Sequence, residues 1–503
     1  MMRTETSRAP RLLALVTAGL LLGAAPVHAD PATAERLREA AEADIAALAE
    51  IHGEGFEVSG KVTVEEDPEV EGAYVGTAPA LTWPVHENVT LTIPAYETRI
   101  RDLGDGLFEV RWDSPVFAFR GHGEAAGQDL ALSCTSQDNS ARYDISRRTF
   151  LRHEQRCEGA VLAKAEGGPL LTIARLMTAS EQKPEGDELV AIDQRMSLEG
   201  LELSGEGRGM VRIGRLEAVG RATGLKTGFM ADWQKQAAMM RNVATAGEWG
   251  ELPAEGRAEI RDGVLAILSR DMLAGGSFAV TLHDLAATGP GQPGGSVDRL
   301  GFGMRGGAGE EPRGVVLDYE MAGIRTADDV LGDIKVSLAL RDVPSEALIE
   351  SIGELMMIEP GPGAEAGAAA IGQGLLQQVV AAGTAFELRD LRLARPGASL
   401  AGQGRVRGAA DAALGAVMQA SLSLEGIEAL EAEFGGSEDA RGIFAVLRAF
   451  GQPAGGGGLD YVFALDEAGQ LTVNQRDLLP IIGLLMQDSS EPPQGPQRRA
   501  ATR

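Results

Sequence analysis

The feature that most constrains the fold of this chain is a repeated shift in its alternating apolar pattern. In "SLEGLE", residues 197–202, Leu198 and Leu201 are three positions apart, although apolar residues on either side follow at intervals of two. Side chains of a strand point to opposite faces in turn, so a three-residue step moves later residues to the wrong face unless the backbone bends. The pattern therefore predicts a strand with a β-bulge or sharp bend that keeps both halves on one core.

The same shift occurs in several other segments of the chain. The residue at the second position of each gap is small or acidic: Gly200, Asp284, Gly323, Asp342, Asp390 and Gly426. Glycine and aspartate tolerate the backbone conformations that an extra residue in a strand requires. The segment "SLEGIE" at 423–428 nearly repeats the first hexapeptide and is interpreted in the same way. The alternative is coincidence among common leucines, and the irregular intervals exclude a solenoid of fixed period.

Around these segments the sequence predicts an α+β fold. Long bent antiparallel β-sheets, in the form of a trough or a flattened barrel, are expected to pack against helices. Residues 30–225 are predicted to form a β-rich N-terminal domain with one leading helix at 33–52, where apolar residues recur at spacings of three and four. Residues 226–486 are predicted as an α+β C-terminal domain with bent strands, and residues 487–503 as a disordered tail.

Residues 1–29 have the organisation of a secretory signal peptide. Arg3 and Arg8 precede an apolar run from Leu12 to Ala25, and small residues end the segment at Ala29. The run is shorter than the roughly 20 residues that span a bilayer. We therefore expect cleavage, a periplasmic location and no integral membrane span after cleavage. An uncleaved membrane anchor is the alternative.

The charge of the chain argues against one class of partner. The formal net charge is −27 at pH 7, which repels the phosphates of nucleic acids over a Debye length of about 8–10 Å. Nucleic-acid binding is therefore excluded, and solubility is the simpler explanation of the acidic surface.

Cys134 and Cys157 are the two cysteines of the chain. In an oxidising compartment an isolated pair is most simply a disulfide, and the alternating segment between them can bring its ends together. A redox-active dithiol, the alternative, would favour the C-x-x-C spacing that is missing here.

No spacing typical of a catalytic, cofactor or metal site is found in the sequence. The histidines are scattered, at His52, His86, His122, His153 and His283 beyond the signal segment. We therefore expect a non-catalytic protein without a cofactor, and an uncharacterised hydrolase is the least favoured alternative.

One apolar stripe at helical spacing is a candidate binding element. It consists of Phe229, Met230, Trp233 and Met240. The stripe is interpreted as an apolar lid for a lipid or a partner helix, with ordinary core packing as the alternative.

Several segments resemble known exported proteins. "AFELRDLRLARPGASLAGQGRVRG" at 385–408 is similar to the strand–bend–strand phrase of AsmA-like envelope proteins. "VTLTIPAYETRIRDLGDGLFEV" and "SARYDISRRTFLRHEQRC", with "SLALRDVPSEAL" and "LRAFGQPAGGGGLDYVFALDEAGQLTVN" later in the chain, resemble an exported alphaproteobacterial family, a domain of unknown function. The resemblance implies a β-rich periplasmic protein and brings no catalytic residues. AsmA-like relatives usually keep an N-terminal anchor, from which the predicted cleavage site departs.

Together these features predict a binding function without catalysis. We expect the apolar trough of the sheet to bind or shield a lipid or another envelope component. A periplasmic interaction scaffold without a ligand is the alternative.

Overall fold

A computed structural model describes the chain from residue 30 to residue 478, apart from 227–252, 272–274, 308–313 and shorter gaps of one to four residues. The predicted fold class is confirmed: the protein is α+β and mostly β, with a large antiparallel sheet. Within the described residues the sheet is open and does not close on itself. The signal segment 1–29 and the tail 487–503 lie outside the described residues.

The described residues contain six helices. They are α1 (Pro31–His52), α2 (Ala254–Asp271), α3 (Ser345–Met357), α4 (Ala364–Ala381), α5 (Ile427–Phe434) and α6 (Glu438–Phe450). α1 begins where Asp30 accepts a hydrogen bond from the Thr33 backbone N–H, at 2.9 Å. Its start is held to the sheet by the Asp30 backbone N–H, which donates to the Tyr74 hydroxyl at 3.0 Å. Of these helices, none is long and apolar enough to cross a bilayer.

The strands differ strongly in length along the chain. The short N-terminal strands are β1 (Glu57–Ser59), β2 (Thr63–Glu66), β3 (Ala73–Ala78), β4 (Ala80–His86), β5 (Val89–Ile93), β6 (Tyr96–Gly104), β7 (Leu107–Trp112), β8 (Phe117–Gly121), β9 (Leu130–Ser133) and β10 (Ser136–Asp144). The long strands are β11 (Thr149–Lys164), β12 (Pro169–Pro184), β13 (Leu189–Gly205), β14 (Gly209–Lys226), β15 (Gly276–Gly289) and β16 (Gln292–Gly306).

The remaining strands are β17 (Gly314–Thr326), β18 (Val330–Arg341), β19 (Ala385–Arg395), β20 (Ala398–Gly408), β21 (Ala416–Glu425), β22 (Gln452–Pro453), β23 (Leu459–Leu465), β24 (Leu471–Val473) and β25 (Arg476–Asp477).

Contacts divide the chain into two compact units. The first holds the described residues up to 307 with 323–329 and 356–361, and the second holds the rest. The residues on both sides of the boundary expected after residue 225 belong to the first unit, because β14 and β15 pair along most of their length.

The sheet of the first unit divides at β11. Along one edge of β11, residues up to Glu158 pair with β10, whereas residues from Val161 onward pair with β9. From β10 the order continues through β7, β6 and β3 to β2, and from β9 it continues through β8, β5 and β4 to β1. Two branches of five strands therefore pair with one edge of β11. The other edge of β11 pairs with β12, the first strand of the long ladder β12–β16.

Helix α1 contacts both branches. Leu37 and Ala41 are buried in a cluster with residues of the first branch, including Tyr74 and Phe108. Ile45 packs against this cluster and also against the cluster of the second branch, around Trp83. The apolar stripe of α1 therefore packs against the hydrophobic cores of both branches of the sheet.

In the second unit, a ladder of antiparallel strands runs in the order β18, β19, β20, β21, β23, β24, β25. Helices α5 and α6 contribute Ile427 and Phe444 to a buried cluster with Leu424, Tyr461 and Val473. The Asn474 side chain joins these elements, since its amide donates to the Phe450 and Asp460 carbonyls and accepts from the Val462 N–H.

Candidate binding face

The bends of the long strands lie side by side in one line across the sheet, which we call the seam. In β13, Gly200 stands opposite Ala174 of β12, because the neighbouring pairs are Arg175–Glu199 and Ile173–Leu201. The same reasoning from flanking pairs continues the line through the remaining long strands. The seam consists of Gly159, Ala174, Gly200, Gly214, Asp284 and Asp298.

Every second strand carries a left-handed residue at the seam. The φ angles are 60° at Gly159, 61° at Gly200 and 54° at Asp284. The seam residues of the strands between them do not have positive φ. A single left-handed residue bends the strand without changing its pairing partners, because register is the same on both sides of Gly200. These are bends within an unbroken ladder, rather than the insertion of an extra residue.

Gly323 of β17 also belongs to this line of contacts. Its φ is 64°, and a Cβ at this position would lie 2.1 Å from Asp298 Oδ2. A Cβ on Gly200 would lie 2.9 Å from the Ala174 Cβ, and one on Gly214 would lie 2.9 Å from the Asp284 Cβ. At each of these contacts one of the two residues is a glycine, because the space between the strands holds only one side chain.

Two rows of aliphatic side chains flank the seam. One row consists of Cys157, Leu176, Leu198, Leu216, Leu282 and Leu300. The other consists of Ala160, Ile173, Leu201, Ile213, Leu285 and Val297. Members of both rows from β11, β12 and β13 pack in one cluster. The two rows therefore lie on the same face, which we call the apolar face.

The opposite face of the long strands is charged. Its central row alternates in sign over several strands: Glu158, Arg175, Glu199, Arg215, His283 and Arg299. The Arg175 guanidinium lies 2.9 Å from a Glu158 carboxylate oxygen and 3.2 Å from one of Glu199. Such exposed ion pairs each contribute little to stability, and their charged groups remain in contact with water. The sheet thus has one face suited to solvent and one suited to apolar contacts.

The apolar face is only partly covered within the described residues. The leucines beside the seam on β13 to β16 are half-buried. Farther along the same face, Phe278, Phe302 and Met304 are exposed by 42%, 43% and 46%. Phe278 stands opposite Met304, and Phe302 stands opposite Val280, so the three form one apolar patch.

The disulfide predicted from the sequence is confirmed. Cys134 and Cys157 are joined, with Cα atoms 5.7 Å apart. Cys134 lies between β9 and β10, where the two branches separate, and Cys157 lies on β11 beside the seam. Thr135, which follows Cys134, donates a hydrogen bond from its hydroxyl to the Gly159 carbonyl at 3.3 Å. The disulfide therefore fixes the fork of the sheet at the seam.

Asp390 marks a different kind of irregularity, in the second unit. Ser337 pairs with Asp390, and Leu338 pairs with Leu388, so Arg389 is an extra residue of β19. This is a β-bulge. Hydrogen bonds from Lys335, at 2.7 Å, and from Arg392, at 3.0 Å, hold the Asp390 carboxylate. They lower the pKa of Asp390, with the Lys335 bond as the largest cause.

The expectation of bent strands is corrected at the remaining two positions. Asp342, with φ 54°, follows the last residue of β18 and precedes α3. Gly426, with φ 69° and ψ 33°, is the N-cap of α5. In both cases the left-handed residue ends a strand and begins a connection to a helix. The physical reason is that the partner strands also begin or end there: Arg341 pairs with the first residue of β19, and Glu425 pairs with Ser399, next to the first residue of β20.

A polar group within the apolar face was not recognised in the sequence. We call it the polar belt: Gln137, Asn139, His153, Gln155 and Thr178, on the adjoining strands β10, β11 and β12. Asn139 is 2% and Gln155 8% exposed. The imidazole of His153 stacks on Trp112, with ring centroids 5.7 Å apart. In "RHEQRC" the uncharged residues His153, Gln155 and Cys157 alternate with charged ones, but this pattern does not show which of the two faces is buried.

The electrostatics of the polar belt favour uncharged groups. Burial lowers the pKa of His153, and the smaller effect of Glu154 opposes this shift. The imidazole is therefore neutral at pH 7. The charged residues of the same strands, such as Arg152, Glu154 and Arg156, occupy the alternate positions that point to the other face.

The predicted lid residues Phe229, Met230, Trp233 and Met240 lie outside the described residues. Within the part of the chain that the structure describes, no three His, Cys, Asp or Glu side chains are grouped so that they could hold a metal ion. Comparison with protein-family models, with curated proteins and with solved structures finds no match for this chain.

Proposed function

We propose that this protein binds or shields acyl chains on the apolar face of its long strands. The observation that carries the proposal is the pair of aliphatic rows beside the seam, which continues into the exposed patch of Phe278, Phe302 and Met304. Contiguous exposed apolar surface of this kind marks binding sites in soluble proteins. An acyl chain fits because it is apolar along its length and needs no hydrogen-bond partner.

The proposed place of action is the periplasm, reached through the N-terminal segment 1–29. Two features support it: the signal-like organisation of that segment and the disulfide between Cys134 and Cys157. Disulfides persist in oxidising compartments. The relation to AsmA-like envelope proteins, and a lipid or envelope protein as the partner, are parts of the same proposal.

Binding is tested with the full exported chain and a fluorescent fatty acid. Phe302→Ser and Phe278→Ser remove apolar area from the proposed surface, and we expect each to weaken binding several-fold. Val219→Ser is the matched control, because Val219 is 48% exposed but stands on the charged face. Native mass spectrometry of the purified protein should show co-purified lipid.

Two results would contradict the proposal. One is a protein that carries no lipid and does not bind the probe. The other is an equal loss of binding in Val219→Ser and Phe302→Ser, because binding would then not depend on the apolar face. For the location, N-terminal sequencing of the exported chain should begin at Asp30, and recovery of the whole chain with the membrane would contradict cleavage.

A further inference from the structure

The polar belt has hydrogen-bonding capacity that the described protein groups do not use. Among the residues that the structure describes, Gln155 Oε1 and His153 Nε2 form no hydrogen bond. Both atoms are removed from solvent, and Gln155 as a whole is 8% exposed. Buried polar atoms in folded proteins nearly always have a partner, so these two atoms have hydrogen-bonding capacity that a bound group or water can use.

The position of the belt relates it to the apolar face. Asn139 stands opposite Gln155, and Ala141 stands opposite His153. Tyr143, two residues after Ala141, belongs to the core cluster of the first branch, whereas Cys157, two residues after Gln155, belongs to the cluster beside the seam. The belt therefore separates two hydrophobic clusters on one face.

The belt also continues toward the more open part of the same face. Gln155 stands opposite Thr178, and His153 stands opposite Ser180, which in turn stands opposite the exposed Gln194. A molecule that lies along the aliphatic rows can therefore place one end in the polar belt.

The chemistry of the belt selects the kind of group that it can hold. Its side chains are amides, a hydroxyl and a neutral imidazole, and the charged residues that alternate with them point to the other face. A phosphate or carboxylate would be buried there without a cation, which is strongly unfavourable. The unused atom of Gln155 is an acceptor, so it requires a donor from the ligand, and a hydroxyl group is the simplest uncharged donor.

We propose that the polar belt holds the uncharged, hydroxyl-bearing headgroup of an acyl lipid whose chain lies on the apolar face. Gln155 Oε1 accepts one ligand hydroxyl, and His153 Nε2 pairs with a second. This inference rests on the proposed function and adds the headgroup class to it.

The test compares three probes on the full exported chain. Monooleoylglycerol carries two free hydroxyls, methyl oleate has the same chain without them, and oleoyl lysophosphatidylglycerol adds a phosphate. We expect monooleoylglycerol to bind about tenfold more tightly than methyl oleate, as hydrogen bonds to otherwise unpaired buried groups provide. The phosphate-bearing probe should bind more weakly than monooleoylglycerol.

Gln155→Leu removes the acceptor and should reduce the preference for monooleoylglycerol over methyl oleate, because one of the two proposed hydrogen bonds is lost. The matched control is Gln194→Leu, which removes an exposed amide from the same face and should keep the preference. Thermal unfolding of both variants establishes that they are folded.

Equal affinity for monooleoylglycerol and methyl oleate would overturn the headgroup assignment and leave acyl binding intact. An undiminished preference in Gln155→Leu would also overturn it, as would a crystal structure in which ordered water alone fills the belt in the presence of monooleoylglycerol. If none of the three probes binds, the proposed function itself fails.

Discussion

Nearly the same six residues occur twice in this chain and adopt two different structures. In "SLEGLE", Gly200 bends β13 and the strand continues to Gly205. In "SLEGIE", Gly426 follows the last residue of β21 and caps α5. The φ angles are similar, 61° at Gly200 and 69° at Gly426. The left-handed residue is therefore common to both sites, and something else decides between strand and helix.

The neighbouring strands account for the difference. At Gly200, β12 and β14 extend past the bend on both sides, so every residue after it still has a pairing partner. At Gly426 both partner strands end. Leu424 pairs with Leu459, the first residue of β23, and Glu425 pairs with Ser399, next to the first residue of β20. The chain there satisfies its backbone groups by forming a helix, whose start is favoured by Glu428 in the first turn.

The largest expected effect comes from substituting the glycine of the second hexapeptide. A Cβ on Gly426 would lie 1.9 Å from the Gly397 carbonyl oxygen and 2.9 Å from the Ala398 Cα. We expect Gly426→Ala to lower the free energy of unfolding by about 3–4 kcal/mol, from left-handed strain together with a backbone shift. Urea unfolding measures it, and Gly436→Ala, where no heavy atom lies within 4 Å, is the control. A loss below ~1 kcal/mol would show that the turn relaxes freely.

The disulfide distinguishes the region of the first hexapeptide from that of the second. Replacing Cys134 and Cys157 by serine opens a loop with a sequence separation of 23. The chain-entropy relation gives a loss of about 3 kcal/mol. Urea unfolding of the double variant should match that of the wild-type protein under reducing conditions. Equal stability of oxidised and reduced wild-type protein would show that the fork of the sheet does not need the bond.

A smaller effect is expected at the glycine of the first hexapeptide. Gly200→Ala places an alanine in the same left-handed conformation, but its Cβ would lie 2.9 Å from the Ala174 Cβ rather than against backbone atoms. We therefore expect the free energy of unfolding to fall by about 2 kcal/mol. Ala174→Gly in the same chain should recover part of it. The control is Gly220→Ala, whose Cβ would meet Phe278 at an ordinary 3.8 Å. A loss at Gly200 that exceeds the loss at Gly426 would reverse the comparison.

The smallest expected effect is a pH dependence that arises from His153, in the unit that contains the first hexapeptide. Burial lowers the pKa of His153 in the folded state, so the unfolded chain binds the proton more readily. The contribution of neutral His153 to the free energy of unfolding is complete above the unfolded pKa of about 6.5. It is lost as pH falls through the lower folded pKa. Unfolding free energies at pH 7.5 and 5.5 should therefore differ less in His153→Gln than in the wild-type protein. An equal difference in both would assign the pH dependence to other groups.

Much of the long-strand region could be predicted from local sequence. The spacing of Leu198 and Leu201 gave the bend, because a strand that buries one face cannot otherwise shift phase. The pairing of Cys134 with Cys157 was predicted from the number of cysteines together with the oxidising compartment that the N-terminal segment indicates. The polar belt was missed because Gln155 and His153 alternate with charged residues, and such a pattern does not reveal which of its two polar faces is buried.

The sequence by itself indicated the left-handed residues Gly200, Asp284, Gly323, Asp342 and Gly426, although not Gly159, and it determined which residues are apolar. Both properties depend on the residue and its immediate neighbours. Only the tertiary structure decided that Gly159, Gly200 and Asp284 stand in one line, and that Gly426 begins a helix. The physical reason is that a strand is completed by hydrogen bonds to distant segments. Whether those segments continue past a bend is a property of the register between strands.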